Sequence, residues 1–413
     1  MRDSSLRVLL VTAHLPESEK SCAPQHVLHE IRYLSKIKNI ELMVASSNPV
    51  DYEIPGVKFV RFPNRQVRPN LYNYLNFILK AFPNLPLSYR RWVWKYWWQG
   101  ILENVWIANL IHEYKIDIIH SHWFFPRCTG AIYAGHVGDV PVVLTARGSD
   151  IIKDESIGFG WRLAPHRNRL IMSALAKANV VTVASKASMD AVQEIIGKSD
   201  KVHYIPNGVD LDLFNFEIND NGLRSRLLDG SSFLILSVGG LKRLKGHDVL
   251  IRSVWMLREK GLSVKLVIVG EGSEYNNLSN LIKELSLQDT VELLGGRVFQ
   301  ELPKYFAACD CFALASSKEG FGNVFLEALA MKRPLVTTPV GFVNDFLIDR
   351  DQARIIPFRD PESMADALYD VLMDPESSRA MARCGYDLVR SKFTIEARTE
   401  AFHNLYTKLV LPS

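Results

Sequence analysis

CFALASSKEGFGNVFLEALAMKRPLVTTPVG (311–341) decides the fold. It opens on a short continuous apolar run, CFALAS, and passes through a turn broken by Gly320 and Gly322. A helix-length run then begins near Asn323, and the stretch closes on a second apolar run, PLVTTP. Strand, glycine turn, helix and strand in that order form a parallel crossover unit. Glu319 falls in the loop at the carboxyl end of the first strand, and Glu327 about one turn into the helix. In such sheets ligands bind where strands end and helix N-termini present free amides. The glycines let the backbone approach a ligand closely. Amides of Phe321, Gly322, Asn323 and Val324 would meet an anion such as a sugar diphosphate, Glu319 a sugar, and Glu327 the ribose hydroxyls, which donate to a carboxylate. A surface loop followed by a helix with an exposed glutamate is the competing interpretation.

The same alternation extends through the chain. Candidate strands lie at 7–12, 41–46, 57–62, 116–121, 142–146, 180–185 and 202–205, and then at 233–239, 264–270, 291–295, 311–316, 334–339 and 353–358. Most are continuously apolar, as parallel strands covered on both faces must be. At 413 residues the chain exceeds one compact core, so two domains of about 200 residues are expected. The fold class is therefore α/β, with two Rossmann-like doubly wound domains facing a cleft. The break is placed at the Pro-Asn-Gly turn in IPNGVDLDLF (205–214), giving domains 1–205 and 206–390. The terminal run FTIEARTEAFHNLYTKLV (393–410) has helical periodicity, and residues 391–413 are expected to cross back to the first domain.

Bulk properties exclude several classes. A formal charge of +4 is too small to argue for nucleic acid. The five cysteines (Cys22, Cys128, Cys309, Cys311, Cys384) are scattered without zinc-finger or CxxC spacing, which points to reduced thiols in a cytoplasmic protein. The apolar run in MRDSSLRVLLVTAH is too short for a signal sequence. No apolar segment reaches the roughly 18 residues that a membrane span needs.

Five motifs in chain order are similar to glycosyltransferase family 4, retaining enzymes of GT-B fold. EGFGNVFLEALA followed by PLVTTPVG resembles the family's donor signature. LSVGGLKRLKGHDVLI (236–251) resembles the segment whose basic residues hold the donor diphosphate. VIVGEGSE (267–274) and LGG (294–296) resemble the strand ends framing the nucleotide, IPNGVD (205–210) the interdomain turn, and VVLTARGSDI (142–151) the acceptor-side loop. The resemblance implies that Glu327 binds ribose, that Glu319 contacts donor-sugar hydroxyls, and that Lys245 neutralises the leaving diphosphate. It also places Gly240, Gly270 and Arg297 on the donor side, and His14, His120, His122 and Asn207 on the acceptor side. A departing nucleoside diphosphate accumulates negative charge, and fixed cations with helix amides stabilise it without metal. No metal and no cofactor are expected, since the nucleotide sugar is a substrate.

Three departures from the family pattern stand out. Gly240 occupies a position where the family usually carries arginine, and Arg243 or Lys242 is the candidate replacement. Arg147 stands where many members have histidine. Arginine is no base at neutral pH, so it is assigned electrostatic work. Ser21-Cys22-Ala23 replaces an N-terminal Gly-Gly. His120 and His122 are expected to point to opposite faces of their strand end, and Asp210-Leu211-Asp212 to cap the interdomain segment.

One segment stands apart. From Arg61 to Trp98 there are seven Lys or Arg and no acid, and 87–106 holds five of the eight tryptophans. Docking of residues 61–106 on an anionic membrane surface or a lipid-linked acceptor competes with packing in a core or cleft. Single-stranded nucleic acid has no other support and is not an expected partner. The expected activity is transfer from a UDP- or GDP-sugar to a saccharide or lipid-linked acceptor, in a cytoplasmic or peripheral protein. Two alternatives are a nucleotide-sugar epimerase or other enzyme on the same fold, and a non-catalytic glycan-assembly subunit.

Overall fold

The computed structural model describes residues 5–12, 15–18, 25–46, 50–62, 106–124 and 128–410. His14, Ser21-Cys22-Ala23 and residues 63–105 of the basic aromatic segment lie outside them. The described chain divides into two compact units. The first takes in residues up to Pro206 together with those from Arg398 onward, and the second is Asn207–Ala397. The expected boundary at 390 falls inside the helix Pro375–Lys392 of the second unit.

In the first unit seven strands form one parallel sheet: β1 (Leu6–Thr12), β2 (Ile40–Ser46), β3 (Val57–Arg61), β4 (Ile118–His122), β5 (Val142–Thr145), β6 (Val180–Val183) and β7 (Val202–Tyr204). Their order is β3-β2-β1-β4-β5-β6-β7. Residues of β1 alternate between two buried layers. Leu9 and Val11 join the core that contains Ile119 and Leu144. Val8 and Leu10 join the core that contains Leu28, Phe402 and Tyr406. The continuous apolar run Val8–Val11 is therefore covered on both faces, and the C-terminal helix Ile395–Val410 supplies part of one cover.

The second unit repeats the plan with six strands: β8 (Phe233–Val238), β9 (Val264–Val269), β10 (Val291–Gly295), β11 (Cys311–Leu314), β12 (Leu335–Thr337) and β13 (Arg354–Ile355). Their order is β10-β9-β8-β11-β12-β13. All thirteen expected strands form, and both units are Rossmann-like parallel sheets. In each, the strand order reverses between two central strands, β1/β4 and β8/β11. Ligands of doubly wound sheets bind at the carboxyl ends of such strands.

Candidate active site

In the second unit the loops after β8 and β11 meet at the reversal point. Lys245 closes the short helical turn Arg243–Lys245, and its Nζ donates to Glu319 Oε1 at 2.6 Å. Ser316 Oγ donates to the same carboxylate oxygen at 2.7 Å, and Thr338 Oγ1 holds the carbonyl of Ser316. Strands β8, β11 and β12 thus each contribute to fixing one carboxylate. Gly246 permits this packing. It has φ +65°, and a Cβ there would come within 2.2 Å of the Ala315 carbonyl oxygen.

The helix Asn323–Ala330 opens at Gly322, which has φ +90° and no side-chain cap. A Cβ on Gly322 would sit 2.5 Å from the Phe325 ring, so the turn admits only glycine. Asn207 Nδ2 donates to Asn323 Oδ1 at 2.8 Å. The residue expected on the acceptor side therefore belongs to the second unit and braces the first residue of this helix. Phe321 is buried and packs on Phe342, with ring centroids 5.5 Å apart, so its side chain belongs to the core. Gly320 stays in the turn. Glu327 is only 8% exposed, and burial pushes its carboxyl from 4.5 up to about 8.

Around this pair, Lys242 and Arg243 are exposed and line a cavity of about 450 Å³ with His247. His247 is buried, and burial together with Lys245 lowers its imidazole to about 4. Gly240 has room, since a Cβ there would meet nothing closer than the Glu271 carbonyl oxygen at 3.6 Å. Gly270 does not, because a Cβ would collide with the Gly239 carbonyl oxygen. Arg297 is held by Tyr305 Oη and the Gly296 carbonyl, each at 2.8 Å. Asp210 accepts from the amides of Asp212 and Leu213 at 3.0 and 3.1 Å, a local turn of the capping kind.

The first unit holds a buried polar cluster at the carboxyl ends of β4 and β5. Glu30 accepts from Arg147 Nη2 at 3.1 Å and Arg398 Nε at 2.9 Å, and His122 Nε2 lies 3.2 Å from its other oxygen. Arg147 Nε donates to His122 Nδ1 at 3.1 Å. That donation places the imidazole proton on Nε2, facing Glu30. Burial, then Arg147, lowers the His122 imidazole to about 4, so it is neutral at neutral pH. Burial alone would raise the Glu30 carboxyl; Arg398, His122 and Arg147 hold it well below the usual range. His120 bonds Tyr406 Oη at 2.5 Å and Thr145 Oγ1 at 2.6 Å. The His120 and His122 rings lie 4.3 Å apart, which corrects the expectation of opposite faces. Side chains alternate with period two along a strand, so residues i and i+2 share a face.

Ligand atoms of Glu30, His120 and His122 lie within 4.8 Å of one another. Two guanidiniums already neutralise Glu30, and both His120 nitrogens are engaged, so a divalent cation would face two positive neighbours. Arg147, expected to do electrostatic work on a substrate, has a side chain only 5% exposed that is engaged by Glu30 and His122. Glu30 and Arg398 were missed from the sequence, although each interrupts the buried stripe of its helix. Glu30 lies three residues after Val27, and Arg398 lies four residues before Phe402.

Two Rossmann-like domains, each built on one parallel sheet, are the architecture of GT-B glycosyltransferases. The profile of Glycosyltransferase Family 4 matches residues 24–213, and that of Glycosyl transferases group 1 matches 220–387. The chain belongs to this glycosyltransferase family. It is 29% identical over 305 residues to the D-inositol 3-phosphate glycosyltransferase of Corynebacterium jeikeium, covering 71% of this chain and 72% of that one. It is 27% identical over 293 residues to the GDP-mannose-dependent alpha-(1-6)-phosphatidylinositol monomannoside mannosyltransferase of Mycolicibacterium smegmatis, covering 68% and 73%. Anabaena Alr3699/HepE, solved in complex with UDP, shares the fold with a TM-score of 0.73 over 98% of this chain and 100% of that one, at 18% identity. Among the described residues no helix is long and apolar enough to cross a membrane.

Proposed function

We propose that the protein is a retaining glycosyltransferase that moves a sugar from a UDP- or GDP-sugar to a saccharide or lipid-linked saccharide in polysaccharide or cell-envelope glycan synthesis. The observation that carries this is the 2.6 Å contact between Lys245 and Glu319. It lies at the reversal point of the second sheet, beside the glycine turn that opens the Glu327 helix. Family relatives that act on inositol phosphate and on a phosphatidylinositol mannoside support a polyol or lipid-borne acceptor.

In this account Glu327 takes the ribose hydroxyls and the amides after Gly322 take phosphate oxygens. Lys245 stabilises the charge that develops as the bond from the anomeric carbon to the diphosphate breaks. Glu319, held by Lys245 and Ser316, receives the donor-sugar hydroxyls. The acceptor oxygen bonds the anomeric carbon on the face that the diphosphate leaves, and the leaving phosphate oxygen takes its proton. Arg147, Glu30 and His122 serve as a rigid floor on the acceptor unit. No step requires a bound metal. Residues 61–106 would hold the enzyme peripherally on an anionic cytoplasmic membrane face, which sedimentation with anionic vesicles tests.

Proton NMR of the product from a purified reaction tests the stereochemistry. An anomer matching that of the donor supports retention, and an inverted anomer removes it. A new sugar nucleotide formed without acceptor would favour an epimerase instead.

A further inference from the structure

The second sheet has a cavity at the end away from Lys245 and Glu319. It encloses about 480 Å³, within the range of small-ligand sites. Phe233 begins β8, while Asp310 and Pro334 immediately precede β11 and β12. The cavity therefore opens at the amino ends of the strands whose carboxyl ends carry the candidate active site.

Its charge is one-sided. Lys332, Arg333, Arg379 and Arg383 line it, with Asp310 as the one acid. That acid is already committed: Asp310 Oδ2 accepts from Arg224 Nη2 at 2.9 Å and from the Leu234 amide at 2.8 Å. The Arg333 guanidinium is fixed by the carbonyls of Met331 and Cys309, both at 2.9 Å, and those carbonyls do not neutralise it. Lys332 sits over the Phe216 ring at 3.3 Å. Arg379 and Arg383 are exposed and, among the described residues, make no ion pair or hydrogen bond. They stand four apart on the helix Pro375–Lys392, where like charges on one face repel. Phe233, Pro334 and Leu372 give the cavity an apolar floor.

We propose that this cavity is a second, non-catalytic site for a phosphoryl group attached to an apolar or ring-bearing body. Arg379 and Arg383 are its principal phosphate ligands, and Arg333 is a preset third cation. An anion between the two helix arginines removes their mutual repulsion and forms the charge-assisted pairs that arginine makes with phosphate. A soluble phosphorylated compound and a phospholipid headgroup both carry this chemistry.

The probe is pyrophosphate, titrated calorimetrically into the full chain carrying Lys245→Ala, which weakens the opposite end of the sheet. Binding should persist in that variant and weaken at least about tenfold when Arg379→Ala and Arg383→Ala are added. The pair Arg379→Lys/Arg383→Lys should retain part of it. Co-sedimentation with phosphatidylglycerol vesicles separates the sources. Vesicle binding that pyrophosphate displaces and the double alanine variant loses identifies a headgroup. Pyrophosphate binding without such displacement identifies a soluble ligand. If the Lys245→Ala protein binds no pyrophosphate, or binds it equally with and without the two arginines in a folded protein, the site does not exist.

Discussion

Lys245 and Glu319, 74 residues apart, share a 2.6 Å contact across the reversal point of the second sheet. Each strand end supplies one member, so the pair exists only when β8 and β11 are adjacent. If Lys245 stabilises the departing diphosphate, Lys245→Ala should lower kcat by about 10²–10³-fold, the cost of removing one preorganised electrostatic contact. Glu319→Gln should also lower kcat while leaving nucleoside diphosphate affinity nearly unchanged. Steady-state kinetics with calorimetry separates the two, and a Lys245→Ala enzyme of normal kcat would remove the pair from catalysis.

Glu327 gives a pH signature. Its carboxyl is raised to about 8 in the folded chain from 4.5, so between those values the native state keeps a proton that the unfolded chain has lost. Stability is greatest below pH 4.5 with respect to this group and falls as pH rises toward 8, by at most about 5 kcal/mol. Denaturant unfolding at pH 5 and pH 8 should show a smaller loss in Glu327→Gln than in the parent. An equal loss in both would place the pH dependence elsewhere.

Glu30 predicts a structural defect of opposite sign. Its carboxylate is buried against Arg147 and Arg398, and its depressed pKa means that stability is present above about 4.5 and lost as pH falls through the folded value. Glu30→Gln leaves two guanidiniums short of their counterion and should cost about 3–5 kcal/mol. Chemical denaturation monitored by circular dichroism reads this directly. A loss under about 1 kcal/mol would mean that the cluster relaxes freely.

Transfer should survive excess EDTA, because Lys245, with the exposed Lys242 and Arg243 in the same loop, offers the positive charge that a metal would otherwise bring to a diphosphate. An assay with and without chelator decides it. Activity abolished by EDTA and restored by manganese or magnesium would require a cation in the mechanism.

The strands were legible because parallel strands buried on both faces carry continuous apolar runs, as Val8–Val11 does in β1, Phe233–Leu236 in β8 and Leu266–Val269 in β9. Glu319 and the Gly322 turn were legible because a positive-φ glycine at a strand end leaves a local mark, whereas Lys245 was singled out only by the family resemblance of its segment. Pairings across long separations were not. Nothing near Glu30 names Arg398, which lies 368 residues on, and nothing near Asn207 names Asn323. The two histidines of β4 needed only the correct alternation. Phe321 could be assigned to the core only once Phe342 was placed beside it.

The central claim is that the second unit holds a nucleoside diphosphate through Glu327 and Lys245. A thermal-shift panel of UDP, GDP, ADP and their sugars on the full chain tests it most directly. At a hundredfold excess over Kd one nucleotide should stabilise the protein by about 2.7 kcal/mol, and Glu327→Ala should lose most of that shift. No shift with any nucleotide, or an equal shift in folded Glu327→Ala, would contradict the account.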